Sequence, residues 1–266
     1  MRQYDTLINF IISNILGKYM KKYVDANSYP VITGGSSVSN CIKPHKIKIS
    51  DIDIVFVCMN IAEKTKKDAE NKRAQFLNDI IEDQELKTFC HEKLYIDNIY
   101  QEKPEYKRIV TIKLVRLCVN NHSLIDTSVQ DVTINKILGK YPMMRKSDQL
   151  IPYYVRNGIL WATCKYMVYD TVRIILHYHV TLNLNVNNIL SAKRFIVYIQ
   201  KLCFLLNIRD NVMKKYVTEF KNKKDINIEE INLLYNLLHK NKQFLSYKKK
   251  LLSTIPDAWK EVIVVD

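Results

Sequence analysis

The chain lacks any uninterrupted apolar stretch near the roughly 20 residues that a helical membrane span requires, so no span is expected. Its opening, Met1-Arg2-Gln3-Tyr4-Asp5, carries an acid and lacks the basic-then-apolar layout of a secretory leader. The six cysteines, at 41, 58, 90, 118, 164 and 203, are scattered singly with no CxxC pair. That spacing speaks against a zinc site and against a disulfide framework, and a reducing intracellular compartment fits it best. Glycine is scarce, with five residues in 266, while Lys, Asn, Ile and Tyr are abundant, a bias of AT-rich coding. No internal repeat and no low-complexity tract is present. Acids are also short: 27 against 41 Lys and Arg, for a formal charge of +14. A surplus of that size favours a polyanionic partner such as nucleic acid, a nucleotide or an acidic membrane surface. With 47% hydrophobic and 26% charged residues, the chain is globular and not disordered, and long enough for one large domain or two modest ones.

Residues 5–24 read as an amphipathic helix, with Leu7, Ile8, Ile11, Ile12, Ile15 and Leu16 at helical spacing, ended by Asn27-Ser28-Tyr29-Pro30. A short apolar run, Val31-Ile32-Thr33, stops at Gly34-Gly35-Ser36-Ser37, and a polar loop with Lys43, His45, Lys46 and Lys48 follows. Ile52–Val57 is a strand rich in β-branched residues. A charged helix is expected over 62–89, buried through Phe76, Leu77, Ile80 and Ile81. Residues 108–119 and 123–128 form an antiparallel hairpin turning at Asn120-Asn121. Beyond Pro142 no strand is expected: 152–180, 189–206, 210–222 and 228–245 all read as helices. The class is therefore α+β, an α/β half over 1–145 and an all-helical half over 146–266, with a seam near 139–152.

Asp51 and Asp53 sit two apart at the head of a strand, so both carboxylates project from one face. Side by side they repel unless a cation lies between them, and magnesium suits such a pair because it joins carboxylates to substrate phosphates. An isolated DxD is common and usually idle; here it follows a Gly-Gly-Ser element whose glycines let backbone approach a phosphate, with Ser36 as a hydrogen-bond donor. Asp126, in Ser123-Leu124-Ile125-Asp126-Thr127, is a third acid in an apolar strand. Such an acid is costly there unless paired or metal-bound, or else it caps a turn at the strand end.

The series "VITGGSS … SDIDIVF … SLIDTSV", over roughly residues 30–128, resembles the DNA polymerase β-type nucleotidyltransferase superfamily. Within it, "SDID", the helical second half and the composition are most similar to the poly(A) polymerases of large DNA viruses. The resemblance implies a mixed nucleotidyltransferase-fold sheet with flanking helices. It implies Gly34, Gly35, Ser36 and Ser37 at the phosphates, and Asp51, Asp53 and Asp126 holding two Mg²⁺ or Mn²⁺ ions. The implied reaction is attack of an RNA 3′-hydroxyl on the α-phosphate of ATP with release of pyrophosphate, Asp126 being the general base or metal-linked proton acceptor. Lys165 and Tyr169 on a helix over 153–180 are implied to hold the triphosphate, although Tyr166 and Tyr169 also suit half-buried packing.

The partners so implied are ATP and the 3′ end of single-stranded RNA, without a membrane, in the cytoplasm if the source is viral. Lysines at 214–215, 221–224 and 248–250 either track an RNA backbone or form a solvated surface. His177 and His179 read as helix residues. Two other readings stand beside this one: an oligoadenylate or cyclic-dinucleotide synthase-like enzyme, and a catalytically dead RNA-binding scaffold of the same fold. Retention of three mutually repelling acids speaks against the scaffold.

Overall fold

A computed structural model of the chain describes residues 2–42, 49, 51–59, 63–103, 115–130, 151–184 and 189–253. It divides into two compact units, the first holding the described residues up to Thr163 and the second running from Cys164 onward. The basic loop 43–48, residues 108–114 of the expected hairpin and the expected boundary at 145/146 lie outside the described residues.

Among the described residues the first unit forms a seven-stranded mixed sheet whose central strand, Ile52–Cys58, is rich in β-branched residues. The strands are β1 (Ser28–Thr33), β2 (Ile52–Cys58), β3 (Ile99–Glu102), β4 (Val115–Val119), β5 (His122–Val129), β6 (Tyr153–Arg156) and β7 (Ile159–Ala162). Their spatial order is β3-β4-β5-β2-β1-β7-β6. β2 lies near the middle, antiparallel to β1 and parallel to β5. Every residue of β2 except Asp53 is buried, as expected of a strand covered on both faces. α4 (Glu63–Ile81) supplies part of that cover through Ala69, Phe76, Leu77 and Ile80, with Phe76 set edge-on to Phe56. The Asn120-Asn121 turn joins β4 and β5 with positive φ at both residues, the geometry that matches strand twist in a two-residue hairpin.

The N-terminal helix is interrupted. α1 (Arg2–Phe10) passes through a π-helical turn at Ile11–Ile15 into α2 (Leu16–Met20), which keeps Leu7, Ile8, Ile11, Ile15 and Leu16 buried. Gly17 then meets the β6–β7 turn so closely that a Cβ there would fall 2.4 Å from the carbonyl oxygen of Asn157. Reciprocally, a Cβ on Gly158 would fall 2.9 Å from the Gly17 carbonyl oxygen.

The expectation of no strand beyond Pro142 is overturned. Residues 153–162 are not the start of a helix but the β6–β7 hairpin, which adds two strands to the sheet beside β1. Its turn is Asn157-Gly158, with φ of 54° and 77°, and Asn157 is a turn residue instead of a helix residue. An Asn-Gly pair flanked by β-branched and aromatic residues is a strong hairpin signal, and it outweighs the helical periodicity downstream. The long charged helix also breaks once. Asp83 caps α5 (Gln84–Phe89) by accepting from the Leu86 N–H at 2.9 Å.

The second unit is helical: α6 (Cys164–Leu184), α7 (Ile189–Leu205), α8 (Asn211–Asn222), α9 (Ile228–Leu238) and α10 (Lys242–Ser253). Its core gathers Phe195, Ile196, Ile199, Leu202, Leu234 and Phe244. Asp210 caps α8, and Asn227 with Glu230 forms a reciprocal capping box on α9, each cap worth about 1 kcal/mol. The segment expected as one helix over 228–245 is two, parted at 239–241. No helix among the described residues is long and apolar enough to cross a membrane.

Cys58, Cys90 and Cys118 are buried and Cys203 is half-buried, each as a thiol.

Candidate active site and metal centre

The site is assembled at one end of β2. Strand pairing sets Asp53 opposite Asp126 on the parallel neighbour β5, opposite Thr33 on β1, and Arg116 of β4 opposite Asp126. Glu102 of β3 completes the line opposite Arg116. Residues directly paired across a sheet share a face. One row therefore runs Thr33, Asp53, Asp126, Arg116, Glu102 across five strands. Asp51, two residues before Asp53, projects to the same side.

Asp51, Asp53 and Asp126 are all half-buried, and each offers one carboxylate oxygen such that the three atoms lie within 4.8 Å of one another. At an effective dielectric near 20, each pair of charges at that separation costs about 3–4 kcal/mol. Arg116 offsets part of this from one side, its Nε 3.1 Å from Asp126 Oδ1 and its Nη1 3.6 Å from Glu102 Oε2. Ser123 donates its hydroxyl to the same Asp126 oxygen. Both contacts fall on Oδ1, which leaves Oδ2 as the Asp126 oxygen open to a ligand. Three clustered hard oxygen donors against one guanidinium fit a divalent cation, and magnesium or manganese suits that donor set.

The glycine-serine element is not an irregular loop but the opening of α3 (Gly34–Cys41). Thr33, its N-cap residue, makes no capping bond through its side chain. Gly34 has φ of +61°, and a Cβ on it would land 1.8 Å from Asp53 Oδ2. The Asp53 carboxylate thus lies directly against the first residue of α3, where the helix dipole favours negative charge. Only glycine meets both demands. Ser36 and Ser37 are fully buried, and their hydroxyls serve the scaffold: Ser36 Oγ donates to the Asp51 carbonyl at 2.8 Å, and Ser37 Oγ to that of Ala162 at 3.1 Å. Ser36 fixes the backbone that aims Asp51, a role separate from the phosphate donor expected of it.

Lys165 and Tyr169 lie on α6 of the second unit. Lys165 is exposed, and Tyr169 is half-buried against the helical core. His177 and His179 are also on α6, with His179 stacked on Tyr235 at 3.6 Å between ring centroids. Among the lysine runs, Lys214, Lys215, Lys221, Lys224, Lys249 and Lys250 are exposed, while Lys223 is engaged by Glu230 and Glu219. Arg116 and Ser123 were not among the site residues expected from the sequence. A register count from the Asn120-Asn121 turn would have pointed to this region of β4.

No known family profile matches the chain, and no curated protein sequence does. Solved structures with a similar course include the Megavirus polyadenylate synthase, at 12% identity and a TM-score of 0.41, covering 85% of this chain and 36% of that one. An antigenic nucleotidyltransferase-like protein from Paracoccidioides brasiliensis is similar at 12% identity and a TM-score of 0.38, with 93% of each chain covered. Terminal uridylyl transferase 4 from Trypanosoma brucei, solved with bound dUTP, is similar at 13% identity and a TM-score of 0.28, covering 90% of this chain and 72% of that one. The chain spans about a third of the length of the Megavirus protein. These are loose likenesses of fold, and the functional reading rests on the carboxylates and the strands that hold them.

Proposed function

We propose that the chain is a template-independent nucleotidyltransferase, transferring AMP from ATP to the 3′ end of single-stranded RNA. The observation that carries this reading is the convergence of Asp51, Asp53 and Asp126 within 4.8 Å at the Gly34 opening of α3. A helix start with glycine at its first turn presents backbone N–H groups to phosphate oxygens, and the adjacent carboxylates present the opposite charge requirement. A triphosphate bridged to carboxylates by cations satisfies both at once.

In the reaction, the RNA 3′-oxygen forms a bond to the α-phosphorus, the bond to the bridging oxygen of pyrophosphate breaks, and pyrophosphate leaves. Two divalent ions held by the three aspartates would supply charge neutralisation at the phosphates and acidify the attacking hydroxyl. Asp126 accepts the hydroxyl proton, oriented for it by Arg116 and Ser123. Asp51, just before β2, and Asp53 within it would hold the cations, with the Ser36 hydroxyl fixing the Asp51 backbone and Gly34 making room for Asp53.

The test is incubation of the purified chain with each labelled triphosphate, an RNA primer and magnesium, followed by sizing of the products. Primer extension with ATP, absent from a well-folded Asp53→Ala protein, is expected. An active Asp53→Ala protein refutes the assignment. Products formed from ATP without any primer would move the chain to the oligoadenylate or cyclic-dinucleotide synthases.

A further inference from the structure

A second feature of the first unit lies beside the carboxylate cluster and is not part of it. A cavity of about 590 Å³ opens between α1 and its π-helical turn, α3, and the β6–β7 hairpin. Its size falls in the range of about 300–1,000 Å³ that small-molecule sites occupy. None of Asp51, Asp53 and Asp126 lines it. Its polar wall carries the carboxamides of Asn9, Asn40 and Asn157 together with Asp5, Arg156 and three serines. The remaining wall is apolar, with Ile8, Ile159 and Trp161 among its members.

We infer that this cavity binds a nucleoside monophosphate unit, its base against Asn9 and Asn157 and its phosphate at Arg156. A carboxamide presents a donor and an acceptor side by side, the arrangement that pairs with the edge of a nucleobase. Two of them, Asn9 and Asn157, beside an isoleucine and tryptophan wall suit a flat, polar ring better than a sugar or an aliphatic acid, the Asn40 carboxamide being taken up by Tyr154 and Arg156. The guanidinium of Arg156 has the planar fork that matches a phosphate. It is held at the rim by Asn40, whose Oδ1 lies 3.4 Å from Arg156 Nη1, while the Asn40 amide donates to the Tyr154 hydroxyl. That tether ties the end of α3 to the edge strand β6. Ser36 lines the cavity and also donates to the Asp51 carbonyl, so the cavity and the carboxylate cluster share one wall residue.

The nucleotide could be free or be the end residue of an RNA strand, and the experiment separates the two. Binding of AMP, adenosine and a short oligoadenylate to the full chain is measured by calorimetry in excess EDTA, which silences cation-dependent binding at the aspartates. AMP or the oligomer is expected to bind the wild type and the Asp53→Asn protein alike. Arg156→Gln should weaken the phosphorylated ligands at least tenfold and leave adenosine within about threefold. Asn9→Leu, which removes a carboxamide from an exposed helix position, should weaken all three ligands while circular dichroism stays unchanged. Tighter binding of AMP assigns a free nucleotide, and tighter binding of the oligomer assigns an RNA end. Absence of binding at millimolar ligand, binding indifferent to Arg156→Gln and Asn9→Leu, or binding lost in Asp53→Asn each overturns the proposal. Because the assay needs neither cation nor catalysis, its failure is independent of any failure of the nucleotidyltransferase reading.

Discussion

Arg116 Nε lies 3.1 Å from Oδ1 of Asp126, and the two side chains are 21% and 17% exposed. This half-buried pair sets the orientation of the third carboxylate and balances part of the cluster's charge. Replacing Arg116 by Gln removes the charge and leaves Asp126 held by Ser123 alone, at a cost of about 1–3 kcal/mol in stability. Primer extension should fall at least tenfold in kcat with little change in KM for the triphosphate. Arg116→Lys should recover part of that loss. Steady-state kinetics on well-folded variants check this, and an unchanged kcat in Arg116→Gln would show that Asp126 needs no such support.

Gly34 is the position least able to accept a side chain. Its positive φ alone costs an L-residue about 1–2 kcal/mol, and the added methyl would collide with Asp53 Oδ2. Gly34→Ala should therefore lower stability modestly yet displace the Asp53 carboxylate and weaken Mn²⁺ binding by an order of magnitude or more. Titration of Mn²⁺ followed by paramagnetic resonance reads this directly. Wild-type affinity in Gly34→Ala would contradict the contact.

The helical unit should lose stability in mildly acidic solution. Burial and the nearby Arg173 push His177 down to about 4, and burial pushes His179 down to about 4 as well, with Lys248 and His239 adding to the shift and Asn232 opposing it. Both histidines bind protons more readily when unfolded, at their ordinary value of 6.5. Their contribution is therefore complete above pH 6.5 and is lost as pH falls from 6.5 towards 4, by roughly 2–3 kcal/mol for each. Denaturant midpoints measured between pH 7 and pH 5 should drop, and His179→Phe should flatten the slope. The depressed carboxylates Asp25, Asp79 and Asp83 act only below their ordinary value of 3.8, outside that window.

Thiol reactivity tests the burial of Cys203. Under native conditions it should react sluggishly with an alkylating reagent, because burial pushes its thiol up to about 12. Labelling of Cys203 in the folded chain as fast as in denaturant would show that the helical core does not cover it.

The α+β class, strands β2, β4 and β5 and the helices of the second unit were legible because period-two and period-3.6 apolar patterns are local. The meeting of Asp51 with Asp53 is local as well, since it follows from strand pleating. What escaped depends on turn chemistry, register and burial, which an apolar period does not carry. The β6–β7 hairpin hid in a sequence whose helical periodicity resumes at Cys164, although Asn157-Gly158 marked the turn. Arg116 escaped for a subtler reason. Counting back from the Asn120-Asn121 turn places Val115 opposite Asp126, but a register shift between Leu117 and Cys118 advances the pairing by one and brings Arg116 there instead. The burial of Ser36 escaped too, because a glycine-serine run reads alike whether it forms a loop or opens a helix.

The parallel pairing of β2 with β5 has a consequence for how the site comes into being. Asp53 meets Asp126 only after α4, α5, β3 and β4 have been laid down between them, so the carboxylates cannot gather on a ribosome-bound chain that stops short of Val129. Loop closure over that span makes their union a late, slow event in maturation. A chain cut anywhere between β2 and β5 would keep two of the acids and lose the cluster.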